Sequence, residues 1–86
     1  QWGLIWRCVD DADLQRVVDE LAVQLAAAPT RGLARTKQAI YESWSRSLEA
    51  QVDCERDFQR ELGRSADYKE GVAAFLEKRT PIFKGE

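Results

Sequence analysis

Acidic and basic side chains interleave along one stretch of this chain, where Asp53, Glu55, Asp57 and Glu61 alternate with Arg56, Arg60 and Arg64. Paired carboxylates are the residue type that general acid–base chemistry needs. Spacings of three and four, however, let Arg56 and Arg60 pair with Asp53, Asp57 or Glu61 along a helix. A solvated, salt-bridged face therefore accounts for the pattern better than a catalytic pair. Glu55 alone falls near an apolar stripe. If buried, it needs a cationic or backbone partner, and a structural pair is expected there rather than a base.

Cys8 and Cys54 are the two candidate nucleophiles. A reactive thiolate needs a base or a strong positive field beside it, and the chain contains no His. The two cysteines stand in no metal or redox spacing. They read as buried thiols of a reducing cytoplasm, with a disulfide between them left open. The missing His also removes the commonest metal ligand. Ser43, Ser45, Ser47 and Ser65 read as caps and turn residues, and the dispersed glycines match no phosphate or dinucleotide loop. These observations predict no catalytic residue and no metal ligand in the chain.

Lys78, Arg79 and Lys84 gather with Phe83 where the last helix ends. Cations there favour the negative end of the helix dipole, and this is the preferred reading. The other reading is a small lip for an anionic, phosphate-bearing ligand. Eight aromatics (Trp2, Trp6, Tyr41, Trp44, Phe58, Tyr68, Phe75 and Phe83) are many for so short a chain. Some must cover one another, but such a set also suits an interface.

The elements that position these groups read as mostly helical. Leu14, Val17, Val18, Leu21, Ala22 and Leu25 follow a helical period behind the Asp10-Asp11 cap, with Asp13 in the first turn and Pro29 ending the run. Thr30 is the expected cap of a second helix, running from Arg31 to about Trp44. The Ser43–Ser47 stretch predicts a break. Ser47 then caps a third helix over Leu48–Leu62, which Gly63 is expected to stop in the left-handed C′ role. Ser65 caps a last helix bearing Tyr68, Val72, Phe75 and Leu76 on one face, halted by Pro81. Before all of these, Leu4–Val9 reads as a short strand with no second strand to pair with. The expected fold is all-α: residues 1–10 an extended lead-in, residues 11–86 about four helices joined by short turns.

Length and composition bound the function. Eighty-six residues make one small domain whose core is marginal without a partner. The formal net charge of −2 gives no reason to expect nucleic acid, which requires clustered, unpaired cations. No apolar run is long enough to cross a membrane, and no signal peptide is recognisable, so a cytoplasmic location is expected. The chain has no Met and opens on apolar Trp2-Gly3-Leu4-Ile5-Trp6, as if continuing a longer protein.

Several runs resemble a known family. Trp2–Asp11, Pro29-Thr30-Arg31-Gly32-Leu33 with Thr36-Lys37, Ser47-Leu48-Glu49 with Glu55-Arg56 and Gln59, and above all Ser65–Arg79 followed by Pro81 and Phe83 resemble the C-terminal region of the crotonase (enoyl-CoA hydratase/isomerase) superfamily. Within it they are most similar to the isomerases acting on ring-1,2-epoxyphenylacetyl-CoA in bacterial phenylacetate breakdown. The resemblance covers the whole chain but only about the last third of a usual member. It implies a preceding spiral α/β core of ββα units, with Leu4–Val9 as its last strand. That core would supply the oxyanion hole and the proton-moving carboxylates. No position of this chain matches a catalytic residue of the family.

The same resemblance implies that the helices build a trimer or hexamer and cover the active site. It also implies that Phe75, Lys78 and Lys84 lie near the adenine or phosphates of a coenzyme A thioester, the substrate of the parent enzyme, with no separate cofactor. The partners expected are thus the missing N-terminal catalytic core and further copies of the chain, with the isolated chain self-associating and showing no activity. The alternative is an independent helical protein-binding module. A small enzyme in its own right is the weakest reading, because no base, metal site or phosphate loop is present.

Overall fold

The computed structural model describes residues 2–86, and among them it forms four α-helices and no strand. These are α1 (Asp11–Ala26), α2 (Thr30–Ser43), α3 (Leu48–Leu62) and α4 (Ala66–Glu77). Among the described residues no helix is long and apolar enough to cross a membrane. Leu4–Val9, read from sequence as a strand, is irregular and almost wholly exposed. A strand needs a neighbour for its backbone N–H and C=O groups, and no other described segment is extended in a sheet.

The helix ends show which local signals decide. Ser47 and Ser65 cap as expected, their side chains accepting N–H bonds from Ala50 (3.2 Å) and Tyr68 (3.0 Å). Asp10 occupies the cap position of α1 without a side-chain bond; its carbonyl accepts the Asp13 N–H instead, at 2.9 Å. Thr30 is not a cap: it is the first residue of α2, behind Pro29. Pro29 takes the cap position instead, because its ψ of 82° lies outside the helical range although its φ of −70° does not.

Gly63 closes α3 with φ −63°, in right-handed rather than left-handed conformation. Its lack of a side chain matters for a different reason, since a Cβ there would lie 3.1 Å from the Gln59 carbonyl oxygen. The left-handed C-cap falls instead on Lys78, with φ 55°, at the end of α4. There the Arg79 N–H reaches back to the Ala74 carbonyl at 3.0 Å, the six-to-one bond of a Schellman closure.

α2 and α3 form the main helix pair. Arg31 and Arg35 reach Glu61, Arg35 also lies over the Phe58 ring at 5.0 Å, and Gln51 donates to the Ala39 carbonyl at 3.3 Å. Partner numbers fall along α3 as they rise along α2, so the two helices run antiparallel, as a four-residue connection requires. Arg46 braces that connection through Glu42, Gln51 and Cys54.

Very little apolar surface is enclosed. Among the described residues Val17 (8% exposed) and Ala74 (1%) are the only buried hydrophobic side chains. Nineteen large hydrophobic side chains are exposed, from Trp2 in the lead-in to Ile82 in the tail, with Trp44 at 93%. The molecule is a slab of 44 × 38 × 19 Å with a radius of gyration of 16.3 Å. A compact chain of this length would have roughly 12 Å. The helices thus present amphipathic faces with no core between them.

Candidate functional site

The charged residues of α3 divide their partners differently from the sequence expectation. Arg56 pairs with Asp53 at 2.7 Å and with Asp57 at 3.2 Å, and Arg60 approaches Asp57 at 3.7 Å, all on one helix. Glu61 instead crosses to α2, taking Arg31 at 2.7 Å and Arg35 at 2.8 Å. Those hydrogen bonds, Arg35 first, hold its carboxyl below the ordinary value. Glu55 is exposed and accepts from the Gln51 amide at 2.8 Å, so its partner is neutral and it carries no buried charge. Cys8 is exposed rather than buried, because the lead-in that carries it packs on nothing; Cys54 is half-buried, and both are free thiols.

α4 and the residues after it are joined by a connected set of polar contacts. Asp67, 5% exposed in the first turn of α4, accepts the Lys84 N–H at 2.7 Å with one oxygen and the Gly85 N–H at 2.8 Å with the other. Its own N–H, one of the donors a helix start leaves free, goes to the Glu86 carbonyl at 2.9 Å. One turn on, Glu70 accepts the Ile82 N–H at 2.8 Å and a two-pronged bond from Arg79 at 2.6 and 2.9 Å. The Arg79 guanidinium, followed by the Ile82 N–H, holds the Glu70 carboxyl down at about 2. Arg79 is raised in turn by Glu70 and by Glu77. A general base works best with a pKa near the working pH, and this pairing moves Glu70 the opposite way.

The returning tail makes one wall of an apolar groove of about 450 Å³ between the start of α2, the end of α3 and α4. Phe83 closes it from the tail side, with its ring edge 3.6 Å from where a Gly71 side chain would begin. Phe75 lies on the groove and is 83% exposed. Lys78 and Lys84 do not line it: Lys78 sits at the left-handed turn after α4, and Lys84 is held by its backbone on Asp67 with an exposed residue surface. The three residues singled out from sequence therefore share the α4–tail end, but only Phe75 faces the groove.

The family described as Enoyl-CoA hydratase/isomerase matches residues 1–86. The chain belongs to that family. Among curated relatives it is 52% identical, over 100% of its length, to the 1,2-epoxyphenylacetyl-CoA isomerase of Escherichia coli, of which it covers 33%. It is 46% identical over 96% of its length to a probable enoyl-CoA hydratase of Rhodobacter capsulatus, covering 32% of that protein. The crystal structure of an enoyl-CoA hydratase from a Polaromonas species superposes with a TM-score of 0.89 at 35% identity, over 95% of this chain and 32% of that one.

The chain thus spans about a third of the length of the curated relatives it matches. Its four helices are a helical part of the crotonase fold. Sequence reasoning found this family through the Ser65–Arg79 run but missed the Asp67–Glu70 arrangement inside it. The available signal was an acidic pair three apart on a helix, ahead of a tail carrying Gly85.

Proposed function

We propose that this chain is the non-catalytic helical region of an acyl-CoA isomerase or hydratase, where it docks on a catalytic core and on further subunits and covers the active site. The observation that supports this reading is the exposed apolar surface: among the described residues nineteen large hydrophobic side chains are exposed while two hydrophobic residues are buried. Leaving that area in water forgoes about 25 cal/mol per Å², so a partner surface stabilises it strongly. Relatives at 52% and 46% identity are an acyl-CoA isomerase and a probable hydratase three times as long, which supplies room for such a core. The substrate of the whole protein is on this reading a coenzyme A thioester, and the assembly a trimer or hexamer.

Phe75, Lys78 and Lys84 are the residues of this chain proposed to meet the adenine and phosphates. An exposed aromatic suits stacking on a flat base, and two exposed ammonium groups suit phosphate oxygens. Two measurements test the reading. The chain produced alone should turn over no enoyl-CoA and should sediment as an associated species; hydration or isomerisation by it, or a compact monomer at high concentration, would overturn the assignment. In the intact protein, Lys78→Ala with Lys84→Ala should raise KM for an acyl-CoA by roughly tenfold, the scale of one charge-assisted hydrogen bond, with kcat little changed.

A further inference from the structure

Residues 79–86 contain no helix or strand, yet they are tied to α4 by the side chains of Asp67 and Glu70, with the Arg79 N–H on the Ala74 carbonyl and the Glu86 carbonyl on the Asp67 N–H at the two ends. Asp67 gathers two successive tail N–H groups, and Glu70 gathers a third together with the Arg79 guanidinium. Successive backbone N–H groups aimed at one anion form a concave nest, and here the anion belongs to the chain itself. Gly85 makes the shape possible. Its φ of +79° is strained for any residue with a side chain, and a Cβ there would lie 2.5 Å from the Thr30 hydroxyl oxygen. The last turn of the tail is therefore wedged between the start of α2 and the start of α4.

We propose that residues 79–86 are a strap that opens and closes as a unit separate from the helices, with Asp67 and Glu70 as its clasp, and that closure is what places Phe83 in the groove wall. The strap is held by side-chain acceptors rather than by a hydrogen-bond ladder, so loss of one acceptor releases several contacts together. Asp67 bonds Lys84 and Gly85, the two residues immediately after Phe83, so losing those bonds frees the backbone on one side of the ring and lets it leave Gly71. The α2–α3 pair, stitched by Glu61 and Arg46, shares none of these hydrogen bonds and meets the last turn of the strap only at the start of α2, where Gly85 lies against Thr30. Asp67 is thus a positioning residue for Phe83. This holds whatever ligand the groove takes, and does not depend on the coenzyme A reading.

The test compares the intact protein with Asp67→Ala, which removes the clasp from the helix side, and with Gly85→Ala, which disturbs it from the tail side and alters no charge. Amide exchange should speed up at least tenfold in the peptide containing residues 82–86 in both variants, with exchange across α3 and across α2 beyond its first turn unchanged. Trypsin should cleave after Lys84 faster by a similar factor. A fluorophenylalanine placed at position 83 should move from a shifted resonance toward that of a solvated ring. Unchanged tail exchange and an unmoved resonance in both variants would overturn the proposal. So would acceleration spread equally over the tail, α2 and α3, because the strap would then not be a separate unit.

Discussion

The two ends of the chain meet opposite fates from opposite compositions. The N-terminal stretch carries Trp2, Leu4, Ile5 and Trp6, by hydropathy the more eager to be buried, and all four are exposed. The C-terminal stretch carries Arg79, Thr80, Lys84 and Glu86, and it is tied to α4 at five backbone groups and one guanidinium. Hydrophobic attraction is not directional and needs area on both sides. Hydrogen bonding to Asp67 and Glu70 is directional and can be satisfied inside a few residues. Local closure at one end therefore follows from polar groups, while the apolar end waits for a surface this chain does not provide.

That contrast is testable at the ordered end first. Ala74→Phe inserts a ring where the side chain is 1% exposed, beside the Schellman closure that starts the strap. Overpacking at such a site should cost about 1–3 kcal/mol, read as a lowered denaturant midpoint. Ser65→Ala should cost about 1 kcal/mol, because the Tyr68 N–H loses its acceptor. Thr30→Ala, at a position that looked like a cap and is not one, should change stability by less than about 0.5 kcal/mol in the same melts. Equal losses from the two substitutions would contradict the placement of the α2 start.

Acid should separate the ends as well. Glu70 is held at about 2 in the folded chain, below its ordinary value of 4.5. Its contribution is therefore fully present above pH 4.5 and is lost as pH falls from there toward 2. Acid-protease nicking of the tail, or its amide exchange relative to the intrinsic rate, should rise across that window, and Glu70→Gln should remove the pH dependence. The smallest effect is expected at the other end. Trp2→Ser with Trp6→Ser should leave the melt of this chain within about 0.5 kcal/mol, since both side chains are already in water. A larger loss would mean that the lead-in packs on the helices after all.

What sequence could and could not disclose follows the range of each interaction. The four helices were legible because period and caps act within one turn, and Ser47 and Ser65 behave as their type predicts. Thr30 and Gly63 misled because Pro29 and a carbonyl approach, not the residue's own preference, set the geometry there. The strap was invisible because Asp67 meets Lys84 and Gly85 across seventeen and eighteen positions, a separation no helical period reports. The cluster of Lys78, Arg79 and Lys84 was read as one group of cations. In the fold Arg79 is spent on Glu70 and Glu77, Lys78 makes a left-handed turn and Lys84 lends its backbone. Glu61 similarly looked like part of a one-helix ladder and proves to be the tie between two helices.

The near-absence of enclosed apolar surface has a calorimetric consequence. Heat capacity rises on unfolding mainly because buried apolar groups become hydrated, by about 12–15 cal/mol/K per residue in ordinary domains. A chain that leaves so many large hydrophobic side chains in water has less apolar surface to hydrate when its helices melt than an ordinary domain of its length. Its stability curve should therefore be shallower and less curved than that of a compact domain of the same length. A steep, strongly curved transition would appear only once the exposed helix faces are covered, so the heat-capacity increment itself reports whether the slab has found its counterpart.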